Sequence, residues 1–365
     1  MNIITKQLNI SADSINLDRF GNAEDILFID IETTGFTATS SSLYLIGCAY
    51  KDGLMFTCKQ FFAEKTSEES RILEEFLSFA SRFKILVHFN GNNFDVPYIQ
   101  DKCEKYGLEC HVSDMVGIDL YKRISPLKTF LKLPNVKQKT LEQYLHVTRR
   151  DTCSGKDLIN VYHDYLNLFS VDALSRLITH NEEDLQGMIR ICPMLSYSDL
   201  LTGKIVVSKV DMDRYVDNEG TQRCELVMKL KLPNPLPQET TSVDYGYYFK
   251  GEGDVGILKV PVFDCELKYF YANYRDYYYL PVEDEALHKS VASFVDRDHR
   301  VQATAATCYT KVHSLFLQQW EPLFLPLYKI DYHSQNLFLE ITDERKKDRE
   351  FFSEYASYVL NHISR

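Results

Sequence analysis

No run of apolar residues in this chain approaches the eighteen or so that a membrane-spanning helix needs, so no membrane is expected among its partners. Cys-x-x-Cys pairs and His/Cys clusters with zinc-site spacing are missing too, although nine cysteines are present. Scattered singly and odd in number, they fit reduced thiols and a cytoplasmic location. Met1 to Asp25 is mixed and polar, without the basic start and apolar block of a secretory signal. The chain also has no internal repeat and no low-complexity tract. Positive charge is in deficit: 41 Lys and Arg face 52 Asp and Glu, for a net charge of −11. That balance argues against a generally basic nucleic-acid-binding surface.

What remains is a globular composition, 45% hydrophobic and 25% charged, in a chain of 365 residues. Such a length exceeds one ordinary core and suits two domains. The charge is also uneven. Between residues 122 and 156 stand Lys122, Arg123, Lys128, Lys132, Lys137, Lys139, Arg149, Arg150 and Lys156, against only Glu142 and Asp151. A local basic patch of this kind is either a solvated surface or a means of drawing a polyanion toward an acidic site.

In chain order, Ile26 to Ile31 reads as a buried strand. Leu43 to Tyr50 and Leu54 to Phe62 flank the Asp52-Gly53 turn of a hairpin. The spacing of Ile72, Leu73, Phe76, Leu77 and Ala80 predicts a helix over 67–83, with Thr66 or Ser67 as cap. Ile85 to Phe89 is a short strand and 96–106 a helix ended by Gly107. Residues 171–192 form the clearest helix of this half. A strand, a polar turn and a helix start in that order suggest an α/β sandwich. From about residue 200 the sequence turns strand-like and tyrosine-rich, with helices expected over 283–295 and 343–362. The expected division is an N-terminal extension (1–24), an α/β domain (25–196) and a separate, strand-rich α+β domain (204–365).

Chemistry concentrates in the first half. Asp30 and Glu32, two apart on a strand, point the same way. Adjacent carboxylates at the end of an apolar strand repel each other and resist desolvation, and hard divalent cations offset both costs. Asp95 lies where a strand gives way to a helix, a place where a capping carboxylate is also common. His180 and Asp184, four apart, project from one helix face.

Together these stretches resemble, in order and spacing, the motifs of the DEDD superfamily of exonucleases, which has an RNase H-like fold. Phe28-Ile-Asp-Ile-Glu-Thr-Thr-Gly35 resembles the first motif, Asn90-x-x-x-Phe94-Asp95-x-Pro97-Tyr98 the second and His180-x-x-x-Asp184 the third. The second is similar to that of B-family DNA polymerase proofreading domains, and the whole is most like bacterial RNase H-like domain proteins predicted to be exonucleases. The resemblance spans roughly residues 25 to 195. It implies an RNase H-like mixed sheet with helices on both faces. It further implies that Asp30, Glu32, Asp95 and Asp184 hold two Mg²⁺ or Mn²⁺ ions and that His180 takes a proton from water. Thr33, Thr34, Gly35, Asn90 and Phe94 would meet the end of a single-stranded DNA or RNA, cleaved 3′ to 5′. Asp119-Leu120 matches a further pair of the family.

One departure is visible. Superfamily members that use histidine generally place four residues between it and the last aspartate, whereas tyrosine-type members place three. Here a histidine stands at the tyrosine spacing, and one residue on a helix turns a side chain by roughly 100°. Two other functions stay open: a nucleic-acid or protein-binding module that keeps the fold with weak or no turnover, and a structure-specific endonuclease. In the second half, Tyr245, Tyr247, Tyr269, Tyr271, Tyr277 and Tyr279 alternate as base-stacking residues would, though strands favour tyrosine for packing as well.

Overall fold

The computed structural model describes residues 1–151, 153 and 155–364, without the side chain of Lys156, the last member of the basic stretch. Two compact units result: Met1–Asp199 with Leu236–Gln238, and Leu200–Pro235 with Glu239–Arg365.

The first unit is a six-stranded mixed sheet. Its strands are β1 (Asn2–Ser11), β2 (Ile26–Thr33), β3 (Leu43–Asp52), β4 (Met55–Phe62), β5 (Ile85–His88) and β6 (Val116–Asp119), in the order β1-β4-β3-β2-β5-β6. β1 to β2 pair antiparallel through β4 and β3, and β2, β5 and β6 run parallel. Helices α1 (Glu69–Ala80), α2 (Asp95–Tyr106), α3 (Leu120–Ile124), α4 (Gln138–Tyr144), α5 (Gly155–Leu168) and α6 (Val171–Ile191) complete it, and the division between the units falls within α7 (Leu195–Thr202).

The period-2 alternation of β2 organises both faces. Leu27, Ile29 and Ile31 pack with Ile72, Leu73, Phe76 and Ile99 of α1 and α2. On the opposite side of the sheet, Tyr44 and Phe62 pack with Leu158 and Tyr162 of α5 and Leu177 of α6. Each such Leu, Ile or Phe contributes about 1.5–3 kcal/mol on burial. β2 lies between β3 and β5, and its polar residues are held in place by its apolar ones.

Three expectations need correction in this unit. Residues 1–24, read as an extension, instead supply β1, an edge strand that pairs from Asn2 with Phe62 to Ser11 with Met55. Polar Thr5, Lys6 and Gln7 interrupt its apolar pattern because an edge strand needs only one buried face. Neither Thr66 nor Ser67 caps α1: Glu68 stands at its N-cap position without a side-chain cap bond, and its carboxylate reaches back to the backbone N–H groups of Glu64 and Lys65 at 2.9 and 3.3 Å. In the basic stretch, Arg149 is largely buried, whereas Lys122, Arg123, Lys128, Lys132, Lys137, Lys139 and Arg150 are exposed.

The second unit holds three three-stranded sheets. Its strands β7 (Val206–Val216), β8 (Gln222–Asp244) and β9 (Tyr247–Pro261) form one, and β10 (Phe263–Phe270), β14 (Tyr309–Gln319) and β15 (Leu337–Glu340) another. Strands β11 (Tyr277–Leu280), β12 (Glu285–His288) and β13 (Val301–Gln302) make the third, with the short α8 (Lys289–Ala292) and the terminal α9 (Arg349–Ile363). Of the helix expected over 283–295 only α8 (Lys289–Ala292) is helical, and Glu285–His288 forms β12 instead. Asp284, at φ +55°, makes the turn and accepts from Tyr279 Oη at 2.6 Å, so the chain reverses rather than winds. The last helix starts at Arg349, six residues later than expected, because Asp348 caps it through the N–H groups of Glu350 and Phe351. The tyrosines largely pack on one another: Tyr271 stacks on Tyr277 at 4.6 Å, and both border a small core of Ala286, Ala303 and Cys308. Tyr245 differs, being 94% exposed.

The entrance to β3 depends on one buried ion pair. Glu69 accepts from Leu43 N–H at 2.6 Å and pairs with Lys102 Nζ at 2.6 Å, while Lys102 donates to Ser41 O at 2.5 Å. Both side chains are buried. Removing one partner of such a pair leaves an uncompensated charge. Glu69→Ala is expected to lower unfolding stability by about 3–5 kcal/mol in urea titrations; a loss near zero would contradict this role.

Candidate active site

Asp30 sits opposite Gly47 of β3, and Glu32 opposite Leu45. Both face α6. The Asn181 amide donates to Asp30 Oδ2 at 2.8 Å and accepts from Gln60 Nε2 at 2.8 Å. A Cβ on residue 47 would lie 1.9 Å from Asn181 Oδ1, so only glycine lets α6 come this close. Helix α6 is launched by Ser170, which caps it through Ala173 N–H, and its buried Leu177, Leu185, Met188 and Ile189 hold the polar residues in register.

Asp95 begins α2, but its carboxylate does not cap that helix by the usual side-chain bond. Asp95 Oδ1 accepts from the Ile31 N–H at 3.2 Å, between Asp30 and Glu32. His180 Nε2 lies 3.0 Å from Asp184 Oδ2 and 3.6 Å from Glu32 Oε1. One ligand atom each from Glu32, His180 and Asp184 falls within a sphere of contacts no wider than 4.8 Å. All five residues expected to carry the chemistry are thus brought together from β2, the start of α2 and the middle of α6.

The other expected residues lie at the end of β2 and in the turns that follow β2 and β5. The Thr33 hydroxyl donates to Gly35 O at 2.8 Å, and Thr34 Oγ1 accepts from Ser42 N–H at 2.8 Å. Both hydroxyls therefore shape the turn. Asn90, at φ +63°, donates its N–H to Asp119 Oδ1 at 2.9 Å, and its side chain accepts from Asn93 at 2.7 Å. Asp119 also caps α3 through Lys122 N–H at 3.3 Å, which makes it a clip between β6 and the Asn90 turn. Phe94 meets Phe36 edge to face at 6.1 Å, and Phe36 is 91% exposed.

Four residues escaped the reading of the sequence. Asp151 Oδ2 lies 2.7 Å from His180 Nδ1 and fixes the imidazole orientation. Asn181 holds Asp30, as described. Arg149 forks onto buried Glu142 and also pairs with Asp184 Oδ1. Gly187 lets Glu142 in: a Cβ there would lie 1.9 Å from its carboxylate. Asn181 adjoins His180 and was legible by proximity, whereas Asp151 and Arg149 lie about thirty residues upstream without a periodic signal.

The electrostatics follow from burial and like charge. Asp30 is pushed up by desolvation and by the charges of Asp184, Glu32 and Asp95. Desolvation, with Asp184 and Asp95 nearby, raises Glu32 to about 8 despite His180. Asp95 rises to about 7, again mainly through desolvation. Burial opposes protonation of His180, but its hydrogen bond to Asp184 and the charges of Asp184, Glu32 and Asp151 outweigh it and lift it to about 9. Asp184 goes the other way: desolvation is outweighed by His180 and Arg149, which hold its carboxyl below the usual range. Oxygen donors that converge under mutual repulsion are the donor set a hard divalent cation takes, so the residues present fit Mg²⁺ or Mn²⁺.

Residues 27–196 match the family model RNase_H_2, of the RNase_H superfamily. The match covers the stretch on which the sequence resemblance rests. Similar solved structures include the family B DNA polymerase of the hyperthermophilic archaeon Pyrobaculum calidifontis, at 13% identity and a TM-score of 0.37 over 70% of this chain and 36% of the polymerase. E. coli exonuclease I in complex with a dT13 oligonucleotide is another, at 11% identity and a TM-score of 0.30 over 56% of this chain and 54% of that one. The chain thus spans about a third of the polymerase and about half of exonuclease I. No curated protein matches it. Among the described residues, no helix is long and apolar enough to cross a membrane.

The raised groups have a consequence for stability. Between the unfolded and folded pKa values of Glu32 (4.5 and about 8), Asp95 (3.8 and about 7) and His180 (6.5 and about 9), the native state binds more protons than the unfolded chain. Stability then falls as pH rises. The Tm measured in EDTA is expected to drop steadily from pH 5 to pH 9, and saturating Mn²⁺ to remove most of that drop. A Tm that is flat across this range, or that Mn²⁺ leaves unchanged at pH 8, would contradict the assignment.

Proposed function

We propose that the domain is a metal-dependent 3′–5′ exonuclease acting on single-stranded ends of DNA or RNA. The observation that carries the proposal is the convergence of Asp30, Glu32, Asp95 and Asp184, from three separate segments, beside His180. These four carboxylates are the ligands we assign to a pair of Mg²⁺ or Mn²⁺ ions. Bound there, such ions would lower the pKa of a water and offset charge on the phosphodiester oxygens.

The chain's own groups supply the rest. His180, oriented by Asp151, accepts the proton of the water once cationic charge offsets the carboxylate field that otherwise keeps it protonated. The turn at Thr33, Thr34 and Gly35 offers backbone groups to the terminal nucleotide, with Asn90 in the turn after β5. Phe94 and the exposed Phe36 offer ring faces to a base, and such stacking contributes about 1–3 kcal/mol. Lys122, Arg123, Lys128, Lys132 and Lys137 draw the polyanion toward a site whose own charge would repel it. The second unit has no assigned chemistry, and exposed Tyr245 is its best candidate for contact with substrate or partner.

A second reading, a binding module with little turnover, is favoured by one observation: both oxygens of Asp184 are engaged, one by Arg149 and one by His180. A labelled single-stranded oligonucleotide separates the readings. Laddering from the 3′ end with Mn²⁺ or Mg²⁺, lost in EDTA and in Asp30→Ala, is the expected outcome. Retention without shortening would overturn the enzyme in favour of the binder, and cutting of a circular strand would indicate an endonuclease. His180→Ala is expected to slow single-turnover cleavage by about 10²–10⁴-fold; a wild-type rate would remove His180 from the mechanism.

A further inference from the structure

Arg149 is the cation closest to the carboxylate group, and it lies where a metal ligand is needed. Its Nε and Nη2 fork onto both oxygens of Glu142, a side chain 1% exposed, and its Nη1 pairs with Asp184 Oδ1. Gln138 braces the arrangement by donating to Glu142 Oε1 at 2.9 Å and to Asp184 O at 2.8 Å. His180 occupies the other oxygen of Asp184, at 3.0 Å. Each oxygen of Asp184 therefore already accepts from a cationic side chain, and an ion at Oδ1 meets the charge of Arg149. A guanidinium is planar, permanently charged and weakly hydrated, which suits it to hold two carboxylates at once in a largely buried place.

Resting on the metal-site reading above, we propose that Arg149 is an internal counter-ion that competes with a divalent cation for Asp184 Oδ1 and keeps the metal affinity of the free protein low. The guanidinium stabilises the clustered negative charge without an ion. An entering cation has to displace one arm of it from Asp184, while the two bonds to Glu142 hold the rest. Arg149 also borders a groove of about 430 Å³ whose walls include Lys6, Glu142, Arg150, Glu183 and Arg190, so the freed arm has solvent and carboxylate at hand. A cation and a guanidinium cannot both bind the same oxygen at full strength. Metal loading thus carries an electrostatic toll that residues distant in sequence set.

The test is Mn²⁺ binding by calorimetry to the full-length protein. Removing Arg149 alone would strand the buried Glu142 charge, so the variant is Arg149→Met with Glu142→Gln, which removes the pair together. Its dissociation constant for Mn²⁺ is expected to fall by about tenfold relative to wild type, the order of coupling between neighbouring ligands. An unchanged or weaker affinity would overturn the inference and show that Arg149 serves to position Asp184 for the ion. The control is Asp30→Asn. Should wild type bind Mn²⁺ no better than Asp30→Asn does, the metal site itself fails and this inference with it. A measurement independent of any variant follows the Arg149 side-chain ¹⁵N resonances of wild type during Mg²⁺ titration. Loss or a large shift of the Nη1 signal at saturation, with Nε still held by Glu142, supports displacement, and an unchanged Nη1 signal contradicts it.

Discussion

Carboxylates lose hydration when buried and repel one another when close, and the first unit must hold several of them together in spite of both effects. β2 does so by position. It is the sheet's junction between antiparallel and parallel pairing, so Leu27, Ile29 and Ile31 are locked under α1 and α2. The alternate residues then have no freedom to leave: Asp30 and Glu32 face α6 because a shift by one residue would place Ile29 and Ile31 there. Apolar burial on one face thus fixes unfavourable charge on the other.

Compensation is distributed over short polar contacts. Asn181 bonds Asp30, the Ile31 N–H bonds Asp95, His180 and Arg149 divide the oxygens of Asp184, and Asp151 aims His180. Two glycines make this geometry possible. Gly47 and Gly187 each stand where a Cβ would fall 1.9 Å from a polar oxygen, of Asn181 and Glu142 respectively. The three carboxylates with raised pKa remain short of positive charge, which is the state that an added divalent cation relieves.

The parts of this arrangement visible in the sequence are those with local spacing. Asp30 and Glu32 announce themselves by strand period, His180 and Asp184 by helix period, and Asp95 by a strand-turn-helix junction. Family resemblance joined the three. Asp151 and Arg149 carry no period and sit in a stretch that composition marks only as basic. Arg149 is accordingly misjudged as a surface charge until the fold places it against Glu142. The same limit explains the fold. Strand β1 is hard to see in the sequence because an edge strand shows half a pattern, and β12 reads as helix because Glu283 to Val295 is rich in helix formers while Asp284 turns the chain. Pairing of β12 with β11, a contact made only in three dimensions, overrides that propensity.

The central claim is that Asp30, Glu32, Asp95 and Asp184 form a divalent-cation site. Anomalous diffraction from a crystal soaked in Mn²⁺ tests it most directly. The account predicts an anomalous peak at ordinary hard-cation distance, about 2.1 Å, from carboxylate oxygens of Asp30 and Glu32, and its loss in Asp30→Asn. Mn²⁺ found only at surface carboxylates, with none at Asp30 and Glu32, would contradict it.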